Sequence, residues 1–147
     1  LGALGGRQWF DARTEVSAGQ SIVVGDDSIV RGTNTPHVVG LLRKAGAAEI
    51  HMRVCAPPIK HPCFMGVDMA TRQELIAANQ TVDEIRKFID ADTLGYLDVK
   101  GLMKVVGGTD GGFCDACFTG NYPVPVQLEL TKLVLEEPPA ELELLSD

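Results

Sequence analysis

Apolar residues along this chain come in short bursts separated by polar, glycine- and proline-containing segments, and the spacing inside each burst points to a different element. Ile22, Val23 and Val24 are consecutive, with neither alternation nor helical period, which predicts a short strand buried on both faces of a parallel sheet. In "TPHVVGLLRKAG" the apolar positions Val38, Val39, Leu41 and Leu42 share one helical face. Thr35 is the expected N-cap there, Pro36 fits the first helical position, and Gly46 is the expected stop. "EIHMRVCAPP" reads as a second strand closed by Pro57 and Pro58. Strand, loop, helix, strand is a βαβ unit, so the two strands are expected to run parallel with a right-handed crossover.

Downstream the pattern turns helical. Thr71 with Glu74 ("TRQE") and Thr81 with Glu84 ("TVDE") are capping-box spacings, so helices are expected to start near Arg72 and Val82. Ile85, Phe88 and Ile89 give the second an apolar stripe. A short strand is expected around Leu94 to Leu97, followed by a helix capped by Asp98 and ended by Gly107 and Gly108. The stretch before Gly19 reads as an irregular lead, "GGTDGG" as a linker, and "EEPPAELELLSD" as a loosely ordered acidic tail. These shifts divide the chain into a lead (1–18), a βαβ unit (19–58), a helical lobe with cysteines (59–125) and the tail (126–147).

With 147 residues, 45% of them hydrophobic, the chain is expected to form one α/β domain or part of one. A net charge of -7 argues against general affinity for nucleic acid or an anionic membrane, so an anionic ligand must be held by geometry. No apolar stretch reaches the roughly 18 residues of a membrane span, and "LGALGGRQWF" lacks the pattern of a signal peptide, so a soluble cytoplasmic protein is expected. The chain begins at Leu1 rather than Met, which is expected of a fragment. Cysteine usage adds candidate chemistry. Cys114 and Cys117 form a C-x-x-C in "FCDACF", with Cys63 upstream in "KHPCFMG". Two thiolates at that spacing can hold one metal from a turn, with a third donor from elsewhere. Buried thiols that merely fill space are the competing reading.

The candidate binding site is "VVGDDSIVRGTN". In open α/β sheets ligands lie beyond the carboxyl ends of the strands, where Asp26 and Asp27 fall. The following loop runs into a helix N-terminus, whose amides and dipole favour an anion. Gly32 permits close backbone approach, Ser28 and Thr33 add hydroxyl donors, and Arg31 adds positive charge. Carboxylates that accept hydrogen bonds from vicinal hydroxyls and bind Mg²⁺, beside an anion cradle, suggest a sugar phosphate. A turn that simply caps the next helix is the plainer alternative.

These residues carry a resemblance. "DDSIVRGT" resembles the phosphoribosyl pyrophosphate (PRPP) signature of type I phosphoribosyltransferases, in the form found in the amidophosphoribosyltransferases. "PPIKHPCFMG", "ELIA" and "CDACFTGNYP" are similar to the C-terminal portion of that family in the same order, and the likeness runs from about Gly19 to Pro125. It implies the C-terminal part of a type I phosphoribosyltransferase fold, a mostly parallel sheet with flanking helices plus a small cysteine-containing helical lobe. It also implies transfer of ammonia to PRPP with loss of pyrophosphate, the first step of purine synthesis. Under this resemblance Asp26 and Asp27 would contact the ribose hydroxyls and Mg²⁺, and Ser28 through Thr33, including Arg31 and Gly32, would hold the 5′-phosphate. Cys63, Cys114 and Cys117 match three of the four ligands of a [4Fe–4S] cluster carried by many members, while Cys55 need not be a ligand. Gly25 departs from the aliphatic residue usual before the acid pair. The family's glutaminase nucleophile, pyrophosphate loop and fourth cluster cysteine lie upstream in its members, so glutamine or ammonia is expected to arrive through a part outside this chain, within a homo-oligomeric enzyme. Two other classes compete with this reading: a non-catalytic module that senses PRPP or a nucleotide, and a zinc-binding interaction domain using His61, Cys63, Cys114 and Cys117.

Overall fold

The structure is a computed structural model that describes residues 12–68, 71–108 and 112–126. Three parallel strands stand in the order β1 (Ser21–Asp26), β2 (Glu49–Val54), β3 (Thr93–Tyr96). Ser21 is paired with Glu49 and Asp26 with Val54, and Val54 in turn with Tyr96, so all three carboxyl ends are level. Around the sheet lie α1 (Thr14–Ser17), α2 (Thr35–Lys44), a 3₁₀ turn η1 (Arg72–Glu74), α3 (Ile76–Asn79), α4 (Val82–Phe88), α5 (Val99–Val105) and α6 (Ala116–Thr119). The lead's first residues, the middle of "GGTDGG" and nearly all of the acidic tail lie outside the described residues.

The core forms on one face of the sheet because β2 alternates. Ile50, Met52 and Val54 point into it, while Glu49, His51 and Arg53 occupy the other face. Val39 of α2, Ile76 and Ala77 of α3, and Ile85 with the following Ile89 complete the core, with Val24, Leu94 and Tyr96 packed at its margin. Each fully buried Ile contributes roughly 1.5–3 kcal/mol of transfer free energy. On the opposite face His51 sits between Ser21 Oγ and Thr93 Oγ1, at 2.9 Å from each, and Arg53 Nη1 donates to Thr93 Oγ1 at 3.0 Å. His51 is thus a hydrogen-bonded residue on that face.

Several expectations hold in outline and shift in detail. β1 is parallel to β2, but it is not buried on both faces: among the described residues it is an edge strand, and Val23 is 67% exposed. The run of three aliphatic residues carried no information about what would cover them. Asn34, not Thr35, stands in the cap position of α2, without a side-chain hydrogen bond, and Thr35 is its first residue, buried against the protein. The helix ends as expected, with Gly46 at φ +88° next to Ala18. The Thr71 box caps a 3₁₀ turn rather than an α-helix, and residues 14–17 of the lead form one helical turn. The Thr81 box and the Asp98 cap form as the spacing predicts.

Packing does not break at residue 58. β3 joins the same sheet as β1 and β2, and α3 and α4 share their core. A second, smaller cluster joins Ile59 and Leu75 to Val30, Ala78, Cys117 and Phe118. The cysteine-bearing segment and the loop that follows β1 therefore meet at a shared cluster, Ile59 and Leu75.

Candidate functional site

β1 delivers Asp26 and Asp27 to the carboxyl edge of the sheet, where the chain leaves the ladder. The acids shape the turn they begin. Asp26 Oδ1 accepts from the Asp27 amide at 2.9 Å, and Asp27 Oδ1 accepts from the Ser28 amide at 2.6 Å and from Ser28 Oγ at 3.3 Å. Burial lifts the Asp26 carboxyl above its ordinary pKa, and the adjacent charge of Asp27 pushes the same way, against the Asp27 amide bond. Cys55 follows β2 beside this pair, its amide donating to Asp26 O at 2.9 Å.

Beyond Ser28 the loop is pinned to the core. Ile29 is buried, and Val30 O accepts from the Ile76 amide at 3.0 Å. Gly32 adopts φ +72°, and a β-carbon there would stand 2.7 Å from Ile76 Cδ1 and 3.4 Å from Phe88 Cε1. The positive φ favours glycine, and a side chain here would also have to displace the Ile76 terminal methyl. Asn34 O then accepts from the amides of His37 and Val38, opening α2.

Asp26, Asp27, Ser28, Arg31, Gly32 and Thr33 all line one cavity of about 660 Å³. The sequence pattern places these six together because they are consecutive or nearly so. It does not flag Ile59, Val67 and Asp68, which also line the cavity after a long excursion of the chain. Pro57 and Pro58 gave a hint for Ile59 by ending β2 at this edge; for Asp68 no local signal exists. Arg31 lines the cavity and also pairs with the protein, its Nε 3.3 Å from Glu74 Oε1.

The thiols form a second locality. Cys117 is the second residue of α6, and its carbonyl accepts from the amides of Lys60 and His61, both at 3.0 Å. This draws residues 60–64 against residues 114–122. Tyr122 Oη donates to Pro62 O at 2.7 Å and its ring meets Phe64 edge-on at 5.3 Å. Cys63 Sγ accepts from the Met65 amide at 3.3 Å. Burial raises the Cys117 thiol, and the charges of Cys63 and Cys114 act in the same direction. As soft donors on facing loops they suit an iron–sulfur group chemically. Among the described residues, however, no group of three or more His, Cys, Asp or Glu is gathered closely enough to hold a metal ion. All four cysteines are free. His61 packs beside Gly120, and burial lowers its pKa, as do the charges of Arg72 and Lys60. His37 is exposed. Among the described residues no helix is long and apolar enough to cross a membrane.

A parallel sheet with flanking helices and an acid pair at its carboxyl edge is an α/β architecture, and its match to the solved structure described below makes it of the phosphoribosyltransferase type. The comparisons with known proteins agree. Amidophosphoribosyltransferase of Bacillus subtilis (strain 168) is 48% identical over 126 residues, covering 83% of this chain and 26% of that protein. The Methanocaldococcus jannaschii protein of the same name is 50% identical over 114 residues, covering 78% of this chain and 24% of that protein. Among solved structures, the glutamine PRPP amidotransferase from B. subtilis complexed with ADP and GMP matches with a TM-score of 0.75 and 44% identity, covering 85% of this chain and 29% of that one. No family model matches. The chain is a homologue of the C-terminal portion of the amidophosphoribosyltransferases, and spans about a quarter of the length of the curated relatives it matches.

Proposed function

We propose that this chain carries the PRPP-binding portion of an amidophosphoribosyltransferase, with the sugar phosphate held in the cavity at the carboxyl edge of the sheet. The observation that carries the reading is the convergence of Asp26, Asp27, Ser28, Arg31, Gly32 and Thr33 on that one cavity. Asp26 and Asp27 accept hydrogen bonds from the ribose hydroxyls, while the amides and hydroxyls of residues 28–33 surround the 5′-phosphate at the approach to α2. In the reaction a bond forms between ammonia nitrogen and the anomeric carbon as the bond from that carbon to pyrophosphate oxygen breaks, and the extra proton on nitrogen leaves to solvent. The two carboxylates stabilise the positive charge that develops on the ribose. Their hard oxygen donors fit Mg²⁺, which when bound neutralises the departing pyrophosphate.

Ammonia is proposed to come from glutamine through a part of the whole enzyme outside these residues, and the 147-residue chain by itself forms no phosphoribosylamine from glutamine. Residues 19–58 supply the acid pair and phosphate loop. In residues 59–125, Cys63, Cys114 and Cys117 are proposed to hold a [4Fe–4S] cluster with a fourth ligand from elsewhere. Four free thiols accord with a reducing compartment such as the cytoplasm.

The test is calorimetric titration of the chain with ribose 5-phosphate in Mg²⁺ buffer. Asp26→Asn with Asp27→Asn keeps the Oδ1 acceptors that shape the turn and removes both charges. Affinity is expected to fall about tenfold or more, the scale for losing a charge-assisted bond. Equal affinity in wild type and double variant would sink the assignment.

A further inference from the structure

One turn of the chain holds the phosphate loop, and one carboxylate in it makes two connections. Glu74 closes the Thr71 capping box: its Oε2 accepts from the Thr71 amide at 3.0 Å and from Thr71 Oγ1 at 3.1 Å. Its Oε1 reaches Arg31 Nε at 3.3 Å. The next residues continue the grip on the same loop. Leu75 packs with Val30, and Ile76 both donates its amide to Val30 O and fills the space over Gly32. Val30, Arg31 and Gly32 line the cavity, whereas Glu74, Leu75 and Ile76 are not among its lining residues. Glu74 therefore touches the loop and not the cavity.

We propose that Glu74 is a positioning residue for the anion-binding loop. By pairing with Arg31 while capping its own turn, it holds the loop in shape and engages the guanidinium. The anion is then gripped by loop amides and hydroxyls, with Arg31 acting as a strut. The inference rests on the sugar-phosphate reading above. It makes a prediction of sign. By charge alone, removing a carboxylate from the neighbourhood of an anion site strengthens anion binding. A positioning carboxylate does the reverse when removed.

The experiment uses the 147-residue chain, with ribose 5-phosphate affinity measured by calorimetry and amide hydrogen exchange followed over residues 28–34. Glu74→Gln keeps an oxygen acceptor for the Thr71 cap and loses the ion pair; Arg31→Gln leaves the cap whole. Both groups are about half exposed, so each variant is expected to weaken binding on the order of three- to fivefold. Each is also expected to speed exchange in the loop, and the double variant to do no more than either alone. Tighter binding or unchanged exchange in Glu74→Gln overturns the proposal. So does a loss in Arg31→Gln that Glu74→Gln does not share, which would make Arg31 a direct phosphate ligand. If wild type fails to bind ribose 5-phosphate, the sugar-phosphate reading falls, and loop exchange in the two variants alone decides whether Glu74 positions the loop.

Discussion

Arg43 and Asp92 meet at 2.7 Å across the amino-terminal edge of the sheet, and the same Asp92 Oδ2 accepts from the Ile50 amide at 2.6 Å. Arg43 also donates to the carbonyls of Ala48 and Asp90. One ion pair thus ties the end of α2 to the starts of β2 and β3, at the opposite edge from the cavity.

The Ile50 amide first, and Arg43 second, hold the Asp92 carboxyl below its ordinary pKa. A depressed folded-state pKa contributes stability that is present above the unfolded value, about 3.9, and is lost as pH falls through the folded value. Urea melts as a function of pH are expected to show Asp92→Asn less stable than wild type at neutral pH, with the gap closing below about pH 4. A gap that persists unchanged to pH 2 would refute the linkage.

At Gly32, replacement by alanine forces a side chain into the left-handed region and against Ile76 Cδ1. The backbone cost is about 1–2 kcal/mol. Denaturant unfolding of Gly32→Ala should show a loss of that size, accompanied by weaker ribose 5-phosphate binding. Full stability would mean that the loop relaxes freely.

Leu75 is completely buried and forms with Ile59 the cluster against which Val30 of the loop after β1 and Cys117 and Phe118 of the cysteine segment pack. Leu75→Ala should cost about 2–5 kcal/mol in chemical denaturation. Because the cavity it leaves borders both regions, proteolysis or hydrogen exchange is expected to report loosening in residues 28–34 and in residues 114–122 together. Loosening confined to one would show that the two are not packed as a unit.

Thiol alkylation of the metal-free chain, read by mass spectrometry, should follow burial. Cys55 and Cys114 are exposed and are expected to react before Cys117, which is packed against the Ile59 and Leu75 cluster. Leu75→Ala should bring Cys117 forward in that order, and an unchanged order would count against the packing described.

Local chemistry was legible wherever neighbouring residues decide the outcome. The Thr81 and Asp98 caps, the glycine stops at Gly46 and Gly107 and the acid pair at a strand tip follow from spacings of a few residues, and the parallel β1–β2 pair follows from the order strand, helix, strand. The reach of Asp68 to the cavity, the pairing of Arg31 with Glu74 and the meeting of Val30 and the cysteine segment at the Ile59–Leu75 cluster were decided only by the folded chain. Capping bonds and turn angles are set by residues close in sequence, whereas these three contacts join segments separated by dozens of residues. They form because closing the shared core brings those segments together.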